Sequence, residues 1–432
     1  MALRRLDLRG FSGDRHALAD VLPRPVDEQD RSSDAVAAII AEVRAAGDDA
    51  LRALTARFDH VEVDELRVPA EELRAALARI PPALQDALDV AHDRILAYHA
   101  HEAGDVPDTF TSAGITVRHV VRPVARAGCY APGGRARYPS TVLMCAVPAH
   151  VAGVEEIVLC VPPGPDGRID DATLAAAAVA GVSEVYRVGG AQAIAAMAYG
   201  TESIAPVDVI VGPGNRYVAE AKRQVSGVVG VASAFAGPSE VVVIAGPDTP
   251  AEFAAIDLVV QAEHGPDGLA WLITWSETKV DEVLAAVDRI VEASPRRADL
   301  EATLGSGGWA VLVDGPKQAC AVSNVVAPEH LEILTGNAGS LLGHIQSAGA
   351  VFLGVNAPAS VGDYVAGPNH VLPTNRTARF ASALRVDDFR KHIHAVSMDA
   401  DALATLGPHV VTLAETEGLP AHAQSVRLRW PR

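Results

Sequence analysis

This 432-residue chain is poor in aromatic residues (4%) and has only four cysteines and four lysines. Each scarcity excludes something. Cys129, Cys145, Cys160 and Cys320 form no CxxC pair and lack the density of a disulfide scaffold. That excludes a cysteine zinc finger and points to reduced thiols in a cytoplasmic setting. With 36 Lys plus Arg against 54 Asp plus Glu the net charge is -18. Nucleic acid, whose phosphates demand clustered basic side chains, is therefore not expected as a partner. The most apolar stretch, residues 141–162, is interrupted by Pro148, His150, Glu155 and Glu156. It falls short of the roughly 18 clean apolar residues of a membrane span, and no membrane association is expected. Arg4 and Arg5 precede no apolar run of the secretory type, so no export is expected. Three catalytic signatures are also missing: the GxGxxG dinucleotide turn, the Gly-Lys-Ser/Thr phosphate loop and the zinc-protease HExxH helix.

What remains is an ordinary globular composition, 49% hydrophobic, arranged in readable periods. Apolar residues fall at helical spacing over 32–58 and again over 70–101, where Pro81-Pro82 makes a break, so the amino-terminal region reads as mostly helix. From Ile115 onward short strand-like runs alternate with Ala-rich helical patterns, the signature of a parallel sheet. Strands are expected at 156–161, 184–188 and 207–211, and a second such series starts at 240–245 and continues through 269–275, 309–313 and 350–353. The fold class is α/β, with two doubly wound, incomplete Rossmann-like domains. Past Phe380 the pattern weakens into short helical pieces at 387–393 and 402–406. Ile393, Val396, Leu403 and Leu406 in that tail call for another surface, which a second subunit can supply.

Several segments carry candidate chemistry. Gly189-Gly190-Ala191-Gln192 and Gly212-Pro213-Gly214-Asn215 each close a strand and open a helix. They read either as tight βα turns or as ligand loops at the carboxyl ends of strands. Two further Gly-rich segments, 128–135 and 236–240, offer few side chains to a core and suit a pocket wall or a domain crossing. Gln261 and His264 share one face of a helix end, as cap or as two Lewis bases; Asp363 follows Gly362 in an expected loop, and His422 lies in the polar tail. Pro328-Glu329-His330 looks like a helix start, where the dipole would favour a neutral imidazole with Glu329 as a second base. Cys129 is a weaker candidate, as a thiol nucleophile. His392 and His394 read as a solvated helix face.

Taken together, GCYAPGGRARYPSTVLM from Gly128, GGAQAIAAMAYGT from Gly189, VGPGNRYVAEAK from Val211, GPSE from Gly237, QAEHG from Gln261, APEHLEI from Ala327 and GDYVAGPNHVLPT from Gly362 closely resemble the histidinol dehydrogenases. The likeness spans residues 30–425. It implies a zinc-dependent, four-electron oxidation of L-histidinol through L-histidinaldehyde to L-histidine with two NAD, the closing steps of histidine biosynthesis.

By the same resemblance one Zn2+ per subunit is held by Gln261, His264, Asp363 and His422. Glu329 and His330 are the bases. Ser239 and Glu417 join His330 and the zinc ligands around the substrate, and Tyr130, Gln192 and Asn215 contact NAD. A homodimer with exchanged carboxyl-terminal segments is implied, with His422 ligating the neighbour's zinc. The domains then read as an arm at 1–25, a discontinuous first α/β domain at 26–129 plus 239–380, an inserted second at 130–238, and an exchanged tail at 381–432. Asn375-Arg376 stands where the family pattern has a small, usually Gly-containing pair. Rival readings are a dehydrogenase of another small alcohol and a catalytically silent zinc-binding scaffold.

Overall fold

The computed structural model describes residues 3–23, 32–104, 109–133, 137–232, 239–263 and 268–429. Two compact units are formed, residues 1–102 with 125–389 and residues 103–124 with 390–432.

In chain order the chain builds β1 (Arg4–Asp7), α1 (Arg15–Val21), α2 (Ser33–Phe58), α3 (Ala70–Arg79), α4 (Pro82–Glu102), β2 (Thr109–Ser112) and β3 (Ile115–Pro123). Strands and helices then alternate through β4 (Arg126–Tyr130), α5 (Pro139–Ala152), β5 (Glu156–Val161), α6 (Asp171–Val179), β6 (Glu184–Arg187), α7 (Gly190–Tyr199), β7 (Val209–Val211), α8 (Arg216–Val225) and β8 (Gly230–Val231). The second series is β9 (Glu240–Ala245), α9 (Ala251–Ala262), β10 (Leu269–Thr274), α10 (Glu277–Ala293), α11 (Arg297–Gly307), β11 (Gly308–Leu312), α12 (Pro316–Val326), β12 (His330–Leu334), α13 (Ala338–Leu341), β13 (Ala350–Leu353) and α14 (Ala359–Tyr364). Last come β14 (Arg390–Met398), α15 (Ala400–Thr416) and α16 (Pro420–Arg427).

The first unit holds two all-parallel sheets with the same wiring. One has the order β6-β5-β4-β7-β8 and the other β1-β11-β10-β9-β12-β13. In each, the first strand of the series is central and the winding reverses beside it, between β4 and β7 and between β9 and β12. Parallel strands covered on both faces need near-continuous apolar runs, and Ile157–Val161 and Val241–Ala245 supply them, every residue buried. α5 is apolar all round for the same reason; Pro139 opens it and Gly153, at φ 90°, closes it in the left-handed conformation.

Packing corrects three expectations. Helix α2 belongs with the five-stranded sheet and not with the 239–380 unit: Val36, Ile40, Val43, Leu51 and Leu54 share one core with Val158, Tyr186 and Ile194. The arm at 1–25 contains β1, which extends the six-stranded sheet through parallel pairing with β11, and α1, whose Leu18 enters the core on that sheet. Residues 387–393 are not a helix: a short 3-10 turn at Val386–Phe389 leads into β14, because nine consecutive register pairs with β3 give that backbone its hydrogen-bond partners. His392 and His394 thus lie on a strand, and 402–406 is part of the longer helix α15.

The second unit is an antiparallel sheet, β14-β3-β2, with the α15–α16 pair joined through Val411, Ala414 and Ala423. Ile393, Val396 and Leu413 in it are exposed. No helix among the described residues is long and apolar enough to cross a membrane.

Candidate active site

Glu329 and His330 stand at the amino end of β12, so the expected helix start is a strand start. Helix α12 ends at Ala327, in the left-handed region at φ 52°, and Pro328 follows without an N–H to continue any helix. The next residues alternate: Leu331 and Ile333 enter the core on one face of the sheet, Leu334 the core on the other. His330 and Glu332 share the face of Leu334.

The neighbouring strand β9 begins at the same level, and its Glu240 meets the pair. The Glu240 N–H donates to Glu329 Oε2 at 3.1 Å, and the Glu329 N–H donates to Glu240 Oε2 at 3.3 Å. The Asn375 N–H donates to Glu240 Oε1 at 3.0 Å. Burial, reinforced by the Glu329 carboxylate, pushes the Glu240 carboxyl up to about 8.

His330 Nδ1 donates to the Glu240 carbonyl at 3.2 Å, since a carbonyl only accepts, and this fixes the tautomer. Its Nε2 faces Asp363 Oδ1 at 3.5 Å, and Nδ1 lies 3.5 Å from Glu329 Oε2. Burial works against the imidazolium, but the carboxylates of Glu329 and Asp363 outweigh it and raise His330 well above the ordinary histidine range. The helix-dipole argument for a neutral imidazole therefore falls with the helix.

Asp363 lies in α14 and not in a loop. Gly362 before it lets that helix approach β13, because a Cβ there would stand 2.5 Å from the Phe352 ring. Gln261 ends α9 on the same side of the sheet, and its Nε2 is buried without a hydrogen-bond partner among the described residues. The structure thus brings Glu329, His330 and Asp363 together, with Gln261 closing the helix that packs on the same face. Ser239 is half-buried beside Glu240. His264 lies outside the described residues. Glu417, closing α15, and His422, in the first turn of α16, are exposed residues of the second unit.

The three proposed dinucleotide contacts gather on the other sheet, at carboxyl ends of strands. Tyr130 ends β4, and its hydroxyl accepts the Gly190 N–H at 3.1 Å, just after β6. Gln192 is buried in the first turn of α7. Asn215 caps α8, its Oδ1 accepting from the N–H groups of Tyr217 and Val218. Tyr130 and the turn after β7 flank the reversal point of this sheet, where doubly wound folds take ligands. A path connects this sheet to Asp363: His370 donates from Nδ1 to the Asp363 carbonyl at 2.8 Å and accepts from Thr141, in the first turn of α5, at 3.3 Å.

Two buried carboxyls beside this cluster, Glu240 and Glu332, are not singled out by the motifs; the available signal is an acid at the start or in the middle of an otherwise apolar strand. Cys129 has no exposed surface, and burial raises its thiol well above the ordinary range, which removes it as a nucleophile.

A histidinol dehydrogenase family model matches residues 22–430. The chain is 46% identical over 431 residues to a histidinol dehydrogenase of Gluconobacter oxydans, covering 99% of each. It is 47% identical over 397 residues to one of Neisseria gonorrhoeae, covering 91% of this chain and 92% of the relative. The crystal structure of a histidinol dehydrogenase from Elizabethkingia anophelis superposes with a TM-score of 0.93 at 35% identity, covering 99% of this chain and 98% of the other.

Proposed function

The chain belongs to the histidinol dehydrogenase family, NAD-dependent oxidoreductases of histidine biosynthesis, and from that premise we propose that it carries out a zinc-dependent, four-electron oxidation. The substrate is L-histidinol, the intermediate L-histidinaldehyde, the product L-histidine, and two NAD are consumed. The observation that carries the reading is the hydrogen bond of His330: with Nδ1–H committed to the Glu240 carbonyl, Nε2 is the atom that exchanges a proton. A cation on Asp363 would offset the carboxylate that favours the charged ring.

His330 removes the carbinol proton in the first oxidation, since hydride leaves that carbon only as its hydroxyl is deprotonated. The aldehyde must add water before a second hydride can leave. Glu329 is the base for that water, its Oε2 held by the Glu240 N–H. NAD supplies the acceptor for each hydride. Tyr130, Gln192 and Asn215 would orient it at the reversal point of the five-stranded sheet.

The donor set fits a zinc site: a buried amide at Gln261, whose oxygen can ligate, and the Asp363 carboxylate facing His330. Gln261, His264, Asp363 and the partner's His422 would hold the ion, one per subunit. When bound, it supplies a Lewis-acid anchor for the imidazole and amino nitrogens of the substrate. Ser239 and Glu417 complete the substrate contacts. The tail 381–432 is exchanged between the subunits of a homodimer, and the exposed Ile393, Val396 and Leu413 support a covered surface there. Four unpaired, buried thiols favour a reducing, cytoplasmic setting.

The test is the NADH released per histidinol consumed by the zinc-loaded enzyme. Two is expected. A value of one, with histidinaldehyde accumulating, would reduce the enzyme to an ordinary alcohol dehydrogenase.

A further inference from the structure

One turn below the bases lies a second pair of acids that the reaction does not use. Glu332 sits in mid-strand of β12, level with Val243 of β9 and Phe352 of β13, and has no exposed surface. It shares the face of His330, two residues earlier. Its Oε1 accepts the N–H of Ala359 at 2.8 Å, while Oε2 finds no N–H or O–H donor among the described residues. The Glu332 carboxyl lies against that of Asp257 on α9, within hydrogen-bonding reach, and a single shared proton suits two carboxyls so placed. Burial, then the Asp257 carboxylate, pushes the Glu332 carboxyl well up.

The spacing of the three partners is the telling feature. Asp257 is four residues before Gln261 on α9, and Ala359 is four residues before Asp363 on α14, so each lies one helical turn from a proposed zinc ligand on the same helix face. Glu332 therefore ties together the three elements that carry Gln261, His330 and Asp363. A carboxyl pair with one member fully buried is a poor choice for stability alone, because apolar side chains of similar volume hold a core at least as well.

We propose that the Glu332–Asp257 pair is a positioning device that fixes α9 and α14 against β12, setting the spacing of Gln261, Asp363 and His330. The proposal rests on the reading of Gln261 and Asp363 as zinc ligands. Both acids are positioning residues and touch neither substrate nor zinc.

Zinc affinity, measured on the full-length protein by competition with a chromogenic chelator, tests it alongside melting curves of the zinc-free protein. Glu332→Gln keeps an acceptor for the Ala359 N–H and offers an N–H to Asp257, so its zinc affinity should stay within about threefold of wild type. Glu332→Leu and Asp257→Ala lose the link and should bind zinc at least about tenfold more weakly, the usual cost of removing a partner that orients metal ligands. Asp257 is only half-buried, so Asp257→Ala keeps the test open if Glu332→Leu does not melt cooperatively. Wild-type zinc affinity in Asp257→Ala, or a loss in Glu332→Gln as large as in Glu332→Leu, overturns the proposal. Gln261→Ala and Asp363→Ala separate the two layers. If they too bind zinc like wild type, the ligand reading itself fails; if they lose zinc while Asp257→Ala does not, the positioning role alone fails.

Discussion

Glu240 and Glu329 hold each other through their backbones, each N–H donating to the other's carboxyl across the junction of β9 and β12. Two carboxyls are thereby confined to one buried site, and Glu240 is raised from 4.5 to about 8. The folded protein binds the extra proton between those values. The stability this contributes is fully present below about 4.5 and is lost as pH rises through about 8. Urea-unfolding midpoints of the wild type should therefore fall between pH 5 and pH 9. Glu240→Gln should flatten that slope and lower stability at pH 6 by about 1–3 kcal/mol, because one backbone N–H loses its acceptor. An unchanged slope in Glu240→Gln would assign the pH dependence elsewhere.

The adjacent bases should separate by half-reaction. His330→Ala is expected to slow alcohol oxidation by about 10²–10⁴-fold, the range for a general base. Glu329→Gln, whose amide oxygen can still accept the Glu240 N–H, should impair oxidation of supplied histidinaldehyde more than its formation. Single-turnover NADH formation from each substrate measures both. Equal loss of the two half-reactions in Glu329→Gln would end the division of labour between the bases.

How much of this was legible in the sequence follows from what each residue depends on. The parallel sheets were readable because Val241–Ala245 and Ile157–Val161 declare their burial in consecutive apolar residues. Glu329 and His330 were readable as chemistry but not as strand, since Pro328 opens helices and strands alike and the decision came from pairing with β9 and β13. The same holds for β14, whose strand state is dictated by β3, more than 250 residues earlier in the chain. Sequence spacing also could not unite Asp363 with His330 or link Asp257 to Glu332. Those contacts arise where α9 and α14 return to the amino ends of the strands, a placement set by winding direction.

Gly212 is the position where a side chain is least tolerable in the proposed dinucleotide loop. Its φ is +107°, a Cβ would stand 2.0 Å from the Tyr130 carbonyl oxygen, and its own carbonyl accepts from buried Lys222. Gly212→Ala must push β4 and β7 apart at their carboxyl ends. A stability loss of about 2–4 kcal/mol is expected, from strain at a left-handed position plus the clash. The KM for NAD should rise at least tenfold with the zinc content unchanged. Wild-type NAD kinetics would remove this loop from the dinucleotide site.

The Asn375-Arg376 pair, which replaces the expected Gly-containing pair, takes the conformation that glycine would favour. Both residues have positive φ, 54° and 61°. A non-glycine residue there costs about 1–2 kcal/mol, whereas glycine costs more chain entropy on folding, about 0.5–1 kcal/mol. Arg376→Gly should therefore stabilise by up to about 1 kcal/mol, readable as a higher urea midpoint. The Asn375 N–H to Glu240 contact survives the change, so turnover should hold. A lower midpoint would mean that the Arg376 side chain contributes more than its backbone strain removes.

The proposed exchange of the tails has a consequence that only mixed dimers expose. His422→Ala and His330→Ala should each be inactive as homodimers. In a hybrid of the two, the subunit with intact His330 receives its tail from the subunit with intact His422, and that one site is complete. Random assortment makes about half of the dimers hybrid, each with one working site, so refolding an equal mixture should restore about a quarter of wild-type activity. Without exchange, one site of the hybrid lacks His330 and the other lacks His422, and nothing is regained. Turnover of the refolded mixture per mole of protein, with zinc in excess, discriminates the two arrangements. No recovery from a mixture shown by mass spectrometry to contain hybrids would place His422 on its own subunit's site or on none.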